Sequence, residues 1–523
     1  MNLIKAALLT TFFIFTLNDT CANNLVRRTY IDLAGRTPSA EEISKAKIQS
    51  QVVAEILQSD WYVNNMFNLW ADWLRLSDRR DSRAIEQYKE WLLNSIKQNK
   101  TYDAMVKELV GAEGHIGSNG AIGFYVRDKN NALDHASFIA DTFLGQEVNC
   151  AQCHNHPFKD FTQLEFYELA AYTYNVRTSS NPQNKRDAKN LVKGLDDEDK
   201  LNRLIDDMFR NIDFSVTETK NKLSLPHDYQ YKNAKPKQRI EPNRILGISP
   251  PENLDKNRDL YVKWMTSPKN KFFVRNVVER LWHRFIGEKE MTPQQLSKWC
   301  NKMVQYNFDL KKYLNDFLCS IEYTQNKTVR RMTAEQIWDS FVYMYNPEYT
   351  FNETSQDNDV KKYYEFLQTS TPQQITNIVT KVSAKVEKPS MRDIYEEVTG
   401  QKYRNKKRNG GYFVASSDQR TPANDGHFLR QFGQSNRQVL NNSNQDPSVQ
   451  QALTLMNGDI LRILFDNKSH FKKGVDTNND KNFIFLSFYG KKPSPEESRV
   501  FTNFSSQEIA WVLMNSKRFI FYE

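Results

Sequence analysis

Apolar and aromatic side chains recur near the helical period along most of this 523-residue chain. In DWYVNNMFNLWADWLRL this spacing places Trp61, Met66, Leu69, Trp70 and Trp73 on one face, which predicts a helix with an aromatic stripe facing a core. Two further amphipathic segments, SRAIEQYKEWLLNSIKQNK and TYDAMVKELVG, follow it. Because this pattern returns throughout the second half of the chain, we predict a mainly α fold.

Two polar stretches interrupt the helical pattern. Residues 177–255 combine a polar insertion with alternating, proline-containing sequence, which predicts a few short strands. A second polar insertion covers roughly residues 352–424. The chain therefore divides into two predicted helical lobes, 23–176 and 256–523, joined by a minor extended bridge.

The first 22 residues have the order of a secretory signal peptide. One lysine precedes the apolar run from Ala6 to Leu17, and a small residue, Ala22, offers a cleavage site. The run is shorter than the roughly 20 residues that cross a bilayer. No later segment is apolar enough to cross a membrane. We therefore expect a periplasmic or secreted protein with no membrane span after cleavage.

Charge and cysteine content exclude two classes of protein. The net charge is +9, but the 72 basic residues are interspersed with 63 acids, which indicates a solvated surface rather than a nucleic-acid interface. Four cysteines remain after cleavage, too few for a disulfide scaffold in a chain of this length. Cys300 and Cys319 lie in helical sequence, where they are either buried thiols or partners in one bridge.

The stretch CAQCHNHPF, Cys150–Phe158, carries the clearest chemical signal. Cys-x-x-Cys-His is the attachment motif of c-type haem, in which two thiols form thioether links and the adjacent imidazole ligates the iron. This assigns haem c as the cofactor, Cys150 and Cys153 as its anchors, and His154 as the proximal iron ligand. Haem attachment of this type takes place outside the cytoplasm, in agreement with the predicted signal peptide.

Three other interpretations of this motif stay open. Zinc needs four ligands, whereas Cys150, Cys153 and either His154 or His156 supply three. A redox dithiol is also compatible with the spacing, although the strand that usually precedes such a motif is absent. In the third interpretation the segment is a structural turn whose two histidines make hydrogen bonds and bind no cofactor.

No hydrolytic motif is present: the sequence has no G-x-S-x-G, no phosphate loop and no HExxH. Asp32, Asp72, Asp134 and Asp141 are scattered carboxylates, which we expect on solvated surfaces or at helix caps.

Several blocks of the sequence resemble a known family, the exported proteins of planctomycetes and related bacteria that pair a cytochrome-like domain of unknown function with a C-terminal companion domain. These are the domain-of-unknown-function families 1549 and 1553. The first domain is represented by RRTYIDLAGRTPSAEEI and FLGQEVNCAQCHNHPFKDFTQLEFYELAAY, with the tryptophan-rich helix between them. The companion domain is represented by WMTSPKNKFFVRNVVERLWHRFIG, RRMTAEQIWDSFV, FLRQFGQSNRQ, QALTLMNGD and FYGKKPSPEE.

The resemblance implies a cytochrome-like role for Cys150, Cys153 and His154. It also implies either an exported partner protein or a substrate pathway shared with one, linked to the use of extracellular, sulfated polysaccharide. The chain departs from the family at two places. Glu279 stands where asparagine is common, and VLNNSNQDPS lacks the cysteines that often follow the FGQ-like block.

We therefore expect an exported c-type haem protein with an electron-transfer or accessory redox role and a redox partner. The alternative is a non-redox binding or scaffold protein whose CxxCHxH turn is structural or holds another metal such as zinc. A third hypothesis is a hydrolase or lyase acting on an extracellular polymer. The sequence does not decide whether the protein is an enzyme.

Overall fold

The computed structural model describes most of the chain after the predicted signal peptide, which lies outside the described residues. The described ranges are 23–46, 48–77, 85–128, 130–179, 183–209, 214–243, 246, 257–351, 358–402, 413–420, 422–438, 443, 446–478 and 481–523.

Helices dominate these ranges, as the sequence predicts. The α-helices are α1 Ala40–Lys45, α2 Gln49–Leu57, α3 Asp60–Trp73, α4 Ile85–Lys97, α5 Tyr102–Val110, α6 Gly123–Val126, α7 Ala132–Leu144, α8 Gln163–Ala170, α9 Gln183–Val192, α10 Glu198–Phe209, α11 Asn257–Met265, α12 Lys271–Ile286, α13 Pro293–Gln305, α14 Leu310–Leu318, α15 Ile321–Thr324, α16 Ala334–Tyr345, α17 Asn358–Thr369, α18 Pro372–Lys385, α19 Met391–Thr399, α20 Phe428–Gln431, α21 Val449–Asn457, α22 Ile460–Leu464, α23 His470–Asn478, α24 Lys481–Tyr489, α25 Pro495–Val500, α26 Ser506–Met514 and α27 Lys517–Ile520. A π-helix covers Tyr30–Ala34, and 3₁₀ helices cover Gly120–Ile122, Asn149–Gln152 and Ser416–Asp418.

Many of these helices begin where a side chain satisfies the free backbone N–H groups of the first turn. Ser39 accepts from the backbone N–H of Glu42 at 3.1 Å, and the Glu42 side chain accepts from the N–H of Ser39. In FTQLEFYELAAY, Thr162 and Glu165 have the spacing that predicts a capping box, and Thr162 caps α8 in this way. Ser494 does so for α25. The sequence Pro-Ser-x-Glu-Glu occurs at both places, at residues 38–42 and 493–497, and gives both helices the same cap.

The strands are short and antiparallel. They are β1 Gly114–His115, β2 Val176–Ser179, β3 Ser215–Glu218, β4 Leu223–Ser224, β5 Arg239–Ile240, β6 Arg330–Arg331 and β7 Phe521–Tyr522. They form a three-stranded sheet of order β1-β3-β2 and two pairs, β4-β5 and β6-β7. The mainly α class with a minor β component is therefore confirmed.

The two polar insertions pack against each other. Helices α9 and α10, from the first insertion, contact α18, and α10 also contacts α19, both from the second. Asn184 donates to the carbonyl of Leu367 at 2.9 Å, and Lys200 donates to the carbonyl of Ser383 at 3.2 Å. Each polar segment thus has a face that packs against the other segment.

The two lobes share one hydrophobic core. Its buried side chains run from Val26 to Tyr522 in a single cluster. Helix α7 of the first lobe packs on α12 of the second, and α2 packs on α14.

A buried charge joins the two lobes inside this core. Asp32, expected at the surface or a cap, is fully buried, so that expectation is wrong. Its carboxylate pairs with the guanidinium of Arg330 and accepts hydrogen bonds from the hydroxyls of Tyr522 at 2.7 Å and Tyr323 at 2.9 Å. All three partners belong to the second lobe. The residues around Asp32 and the end of the chain are thereby held together.

A second buried carboxylate, Asp339 on α16, also bonds across the two lobes. It accepts from the side-chain amide of Asn64 at 2.7 Å and from the backbone N–H of Ser416 at 2.8 Å. Burial raises its pKa to about 7, although these hydrogen bonds oppose the rise.

Within the described part of the chain, no helix combines the length and apolar character that a membrane crossing requires.

We predict that Asp32→Ala lowers the free energy of unfolding by about 3–5 kcal/mol, because it leaves the buried guanidinium of Arg330 without its partner. Chemical denaturation would measure the change. Asp459→Ala is the matched control: its ion pair with Arg462 is exposed, and its loss is expected to cost under about 1 kcal/mol. The double variant Asp32→Ala/Arg330→Met should recover part of this loss. If Asp32→Ala costs no more stability than Asp459→Ala, the prediction is wrong.

We predict that Asp339 makes the protein less stable as the pH rises. The folded-state pKa lies above the ordinary value of 3.8, so the folded protein holds a proton that the unfolded chain has released. This contribution is complete below pH 3.8 and is lost as the pH rises through about 7. Urea unfolding of the wild type and Asp339→Asn between pH 5 and 8 measures it. The difference between the two should change across this range, and a constant difference would show that Asp339 does not titrate there.

Candidate functional site

The cysteine motif lies between two helices. The sequence predicts this place, because LDHASFIADTFLGQEV before the motif and FTQLEFYELAAY after it both have helical spacing. Helix α7 ends at Leu144, and Gly145 continues the chain with a φ of 65°, in the left-handed region. A Cβ at Gly145 would meet the side chain of Asn276 at 2.9 Å, so both the backbone angle and the close packing favour glycine. The 3₁₀ helix Asn149–Gln152 then carries Cys150, and α8 begins at Gln163.

Hydrogen bonds from three directions hold this turn. The side-chain amide of Gln163 donates to the carbonyl of Gln152 at 3.1 Å, and its backbone N–H donates to the side chain of Asn155 at 3.0 Å. The backbone N–H of Asn155 donates to the hydroxyl of Tyr231, from the bridge, at 2.8 Å. Tyr167 of α8 lies close enough that its pKa is raised first by burial and then by Cys153.

The reactive groups of the motif face outward. Cys150, Cys153 and His154 are exposed, whereas Ala151 between the cysteines is fully buried and anchors the turn. The described cysteines are free thiols, including Cys150 and Cys153. Phe158, four residues after His154, is 93% exposed, the most exposed large apolar side chain of the described residues. The motif thus presents two thiols, an imidazole and an uncovered aromatic ring.

The ring of His154 is held in one tautomer. Its Nδ1 lies 2.7 Å from the carbonyl oxygen of Asn155. A carbonyl oxygen can only accept, so Nδ1 carries the proton and Nε2 keeps its lone pair. Histidines that ligate metals through Nε2 commonly donate from Nδ1 in this way. The chemistry of these residues therefore fits a c-type haem with His154 as a ligand.

His156 has the opposite arrangement. Its Nδ1 accepts hydrogen bonds from the backbone N–H groups of Phe158 at 3.1 Å and Lys159 at 3.0 Å. The lone pair of Nδ1 is therefore engaged, and the neutral ring carries its proton on Nε2. Among the described residues, no group of three or more His, Cys, Asp or Glu side chains is arranged to hold a metal ion. His156 acts here as a support for the turn.

The remaining cysteines lie away from this chemistry. Cys300 is half-buried, and burial raises the pKa of its thiol to about 11. Cys319 is exposed in part, and the burial of the rest of its side chain raises the pKa of its thiol as well. Both are free, so the bridge considered between them is not formed.

A second candidate site is a large polar cleft between the two lobes, with a volume of about 990 Å³. Its walls come from the end of α3, the end of α7, helix α12 and Tyr522. Residues 328–331 and 333–335, with Gly433, Ser435 and Ser443, complete the lining. Sequence reasoning missed this site. Asp72 and Asp141, expected at surfaces or caps, both line it, and Glu279 does so too. Only Asp134 fits that expectation without qualification: it lies in the first turn of α7 and bonds to Asn131.

One signal could have found the cleft. Its walls coincide with the blocks that carry the family resemblance, namely the tryptophan-rich helix, the RLWHRFIG and RRMTAEQ segments and the FGQSN segment. These blocks are far apart in sequence, and the fold brings them to one place.

We predict that Tyr231→Phe loosens the cysteine turn, because it removes the acceptor of the Asn155 N–H. The loss should be about 1 kcal/mol, seen as faster hydrogen exchange at the Asn155 amide. Tyr229→Phe is the matched control, since the hydroxyl of Tyr229 donates to Asn233 within the bridge. Equal exchange at Asn155 in both variants would contradict the assignment.

Comparisons with known proteins agree with this two-part organisation. Residues 16–178 match the family model described as PSCyt2, protein of unknown function (DUF1549). Residues 300–505 match the model described as PSD1, protein of unknown function (DUF1553). No curated protein matches the chain, and no solved structure does. The cysteine motif falls within the first match, and the cleft is lined by residues from both. The chain therefore belongs to the proteins that pair a PSCyt2 domain with a PSD1 domain, both of unknown function.

Proposed function

We propose that the chain is an exported protein that carries one covalently bound c-type haem and uses it in electron transfer. The observation that carries the proposal is the state of the motif: two exposed, unbridged thiols beside an imidazole whose Nε2 is free to ligate. When bound, haem supplies a reversible one-electron couple.

The chain's own residues would do three things at this site. Cys150 and Cys153 would hold the group covalently, so attachment needs no enclosed pocket. His154 would ligate the iron, with the Asn155 carbonyl fixing its ring. Gln163 and Tyr231 would keep the turn in its conformation through their hydrogen bonds to its backbone. Because the motif lies at the surface, a redox partner could approach it directly.

Phe158 adds an exposed apolar surface beside the motif. A phenyl ring that is 93% exposed leaves apolar area in water, which is unfavourable unless another group covers it. Phe158 is four residues from His154 in the sequence. We therefore propose that the bound haem, or a partner that docks there, covers the ring.

We predict that the mature protein, expressed in cells with c-type cytochrome assembly, gains the mass of one haem and shows a Soret band. Intact-mass spectrometry and absorption spectra measure both. Cys150→Ala and Cys153→Ala should each weaken or abolish covalent retention of haem, and the double variant should retain none. Cys300→Ala and Cys319→Ala are matched controls that should retain it. A wild-type polypeptide at its bare mass would refute the proposal.

The alternative is a non-redox binding protein with a structural turn. The bonds of His156 to two backbone N–H groups favour it, because they stabilise the turn without a cofactor. The same preparation separates the two: a colourless protein, with or without stoichiometric zinc, would support the alternative.

A further inference from the structure

One segment departs from the mixture of basic and acidic residues that the rest of the chain shows. Residues 219–241 hold six lysines or arginines and two acids, a net charge of +4, whereas all 523 residues together carry +9. The segment contains the paired strands β4 and β5, and we call residues 219–241 the basic hairpin. Nearly half of the net charge of the protein is therefore concentrated in one short piece of its surface.

Most of these basic side chains are free. Lys222 pairs with the carboxylate of Glu241. The other five are exposed and form no ion pair within the part of the chain that the structure describes: Lys220, Lys232, Lys235, Lys237 and Arg239. Because no carboxylate of the protein neutralises them, these cations attract anionic groups from solution.

The backbone of the basic hairpin is ordered by its own hydrogen bonds. The N–H of Leu225 donates to the carbonyl of Gln238 at 2.9 Å, and the N–H of Lys237 donates to the carbonyl of Pro226 at 3.3 Å. Leu225 is also buried, which fixes one side of the hairpin against the protein. The free cations thus belong to a hydrogen-bonded hairpin and not to an irregular loop.

The basic hairpin lies against the cysteine motif. The hydroxyl of Tyr231, the residue before Lys232, accepts from the backbone N–H of Asn155 at 2.8 Å. Burial raises the pKa of Tyr167, and Cys153 of the motif and Asp228 of the hairpin raise it further, so both segments lie close to this hydroxyl. The exposed ring of Phe158 comes three residues after Asn155. Free cations and an uncovered aromatic ring therefore occupy neighbouring segments of the surface.

The acids near the motif do not cancel the hairpin cations. Glu165 accepts the capping hydrogen bonds of α8, and Glu168 accepts from the side-chain amide of Asn243 at 3.1 Å. Among the described residues of the turn and the hairpin, the acids without an ion pair are Glu147, Asp160 and Asp228. The five hairpin cations and Lys159 outnumber them six to three, so the free charge beside the motif is positive.

An acidic protein fits this surface better than a simple polyanion does. A sulfated polymer would neutralise the cations but would leave the ring of Phe158 in water. A protein supplies carboxylates for the cations and apolar side chains for the ring, which is the usual composition of a protein interface. Complementary charge also speeds the encounter of two proteins, and short-lived electron-transfer complexes form through small interfaces of this kind.

We propose that Phe158 and the basic hairpin dock an acidic partner protein beside the cysteine motif. Carboxylates of the partner pair with Lys232, Lys235 and Lys237, and an apolar side chain of the partner covers Phe158. This inference rests on the proposed function in one respect, namely that the docked protein exchanges electrons with the group held by the motif.

Fluorescence anisotropy on the full mature chain tests the proposal with four labelled probes. They are a soluble peptide of Glu and Leu, the same peptide with Ser for Leu, its basic counterpart with Lys for Glu, and a sulfated dextran oligosaccharide. The variant Lys232→Gln/Lys235→Gln/Lys237→Gln removes three free cations of the hairpin, and Phe158→Ser removes the ring.

The matched control is Lys468→Gln/Lys473→Gln/Lys492→Gln. It removes the same charge from exposed side chains of the second lobe. Thermal unfolding checks that each variant is folded. All substituted side chains are exposed, so we expect every variant to unfold near the wild-type temperature.

We expect the Glu–Leu peptide to bind best, and its affinity to fall about tenfold or more between about 0.01 M and about 0.5 M salt. The hairpin variant should weaken this binding about fivefold or more relative to the control variant. Phe158→Ser should weaken binding of the Glu–Leu peptide but not of the Glu–Ser peptide. The proposal is wrong if the Glu–Leu peptide does not bind at millimolar concentration, or if the hairpin and control variants bind it equally. It is also wrong if the basic peptide or the sulfated oligosaccharide binds best.

The titrations are run on protein made with and without c-type cytochrome assembly. The effect of the hairpin variant should be the same in both preparations, because the cations do not depend on haem. Intact mass reports whether haem is attached, and anisotropy reports whether an acidic chain docks. A bare polypeptide that still binds the Glu–Leu peptide through the hairpin would refute the proposed function alone, and a haem protein that does not bind it would refute the docking surface alone.

Discussion

The carboxylate of Asp32 is a negative charge without water around it, and its partners decide how the lobes meet. Removing such a charge from water costs several kcal/mol, which is offset only when the surrounding groups complete its hydrogen bonds and its ion pair. Arg330, Tyr323 and Tyr522 do this together, from positions about 300 to 490 residues further along the chain. The contacts that satisfy Asp32 of the first lobe therefore include the last strand of the chain.

The cleft depends on the same contact. Arg330 and Tyr522 both line it, and Arg330 also donates to the carbonyl of Arg284 at 2.7 Å, which fixes the end of α12. Along that helix, Asn276 donates to the carbonyl of Thr142 at 2.8 Å. The walls are thus tied together at two places by the protein's own hydrogen bonds.

Local features of this structure could be predicted from the sequence, and long-range ones could not. Helical spacing, the Thr162–Glu165 capping box and the place of the motif depend on residues a few positions apart, and all three are confirmed. The burial of Asp32 and the position of Asp72 in a cleft depend on partners hundreds of residues away. The residues next to a carboxylate in the sequence do not indicate partners that are so distant. The same limit applies to the two polar insertions. The packing of one insertion against the other is known only from the structure.

The cysteine motif and the cleft share a short segment of chain. Glu147 lines the cleft, and Cys150 follows three residues later in the exposed turn. Between α7 and Glu147, Gly145 packs against Asn276, which lines the cleft from α12. The residue that shapes the start of the turn is therefore also a wall of the cleft. Because α7 belongs to the first lobe and α12 to the second, neither lobe alone can set this geometry. The two lobes therefore shape the start of the turn and this wall of the cleft together.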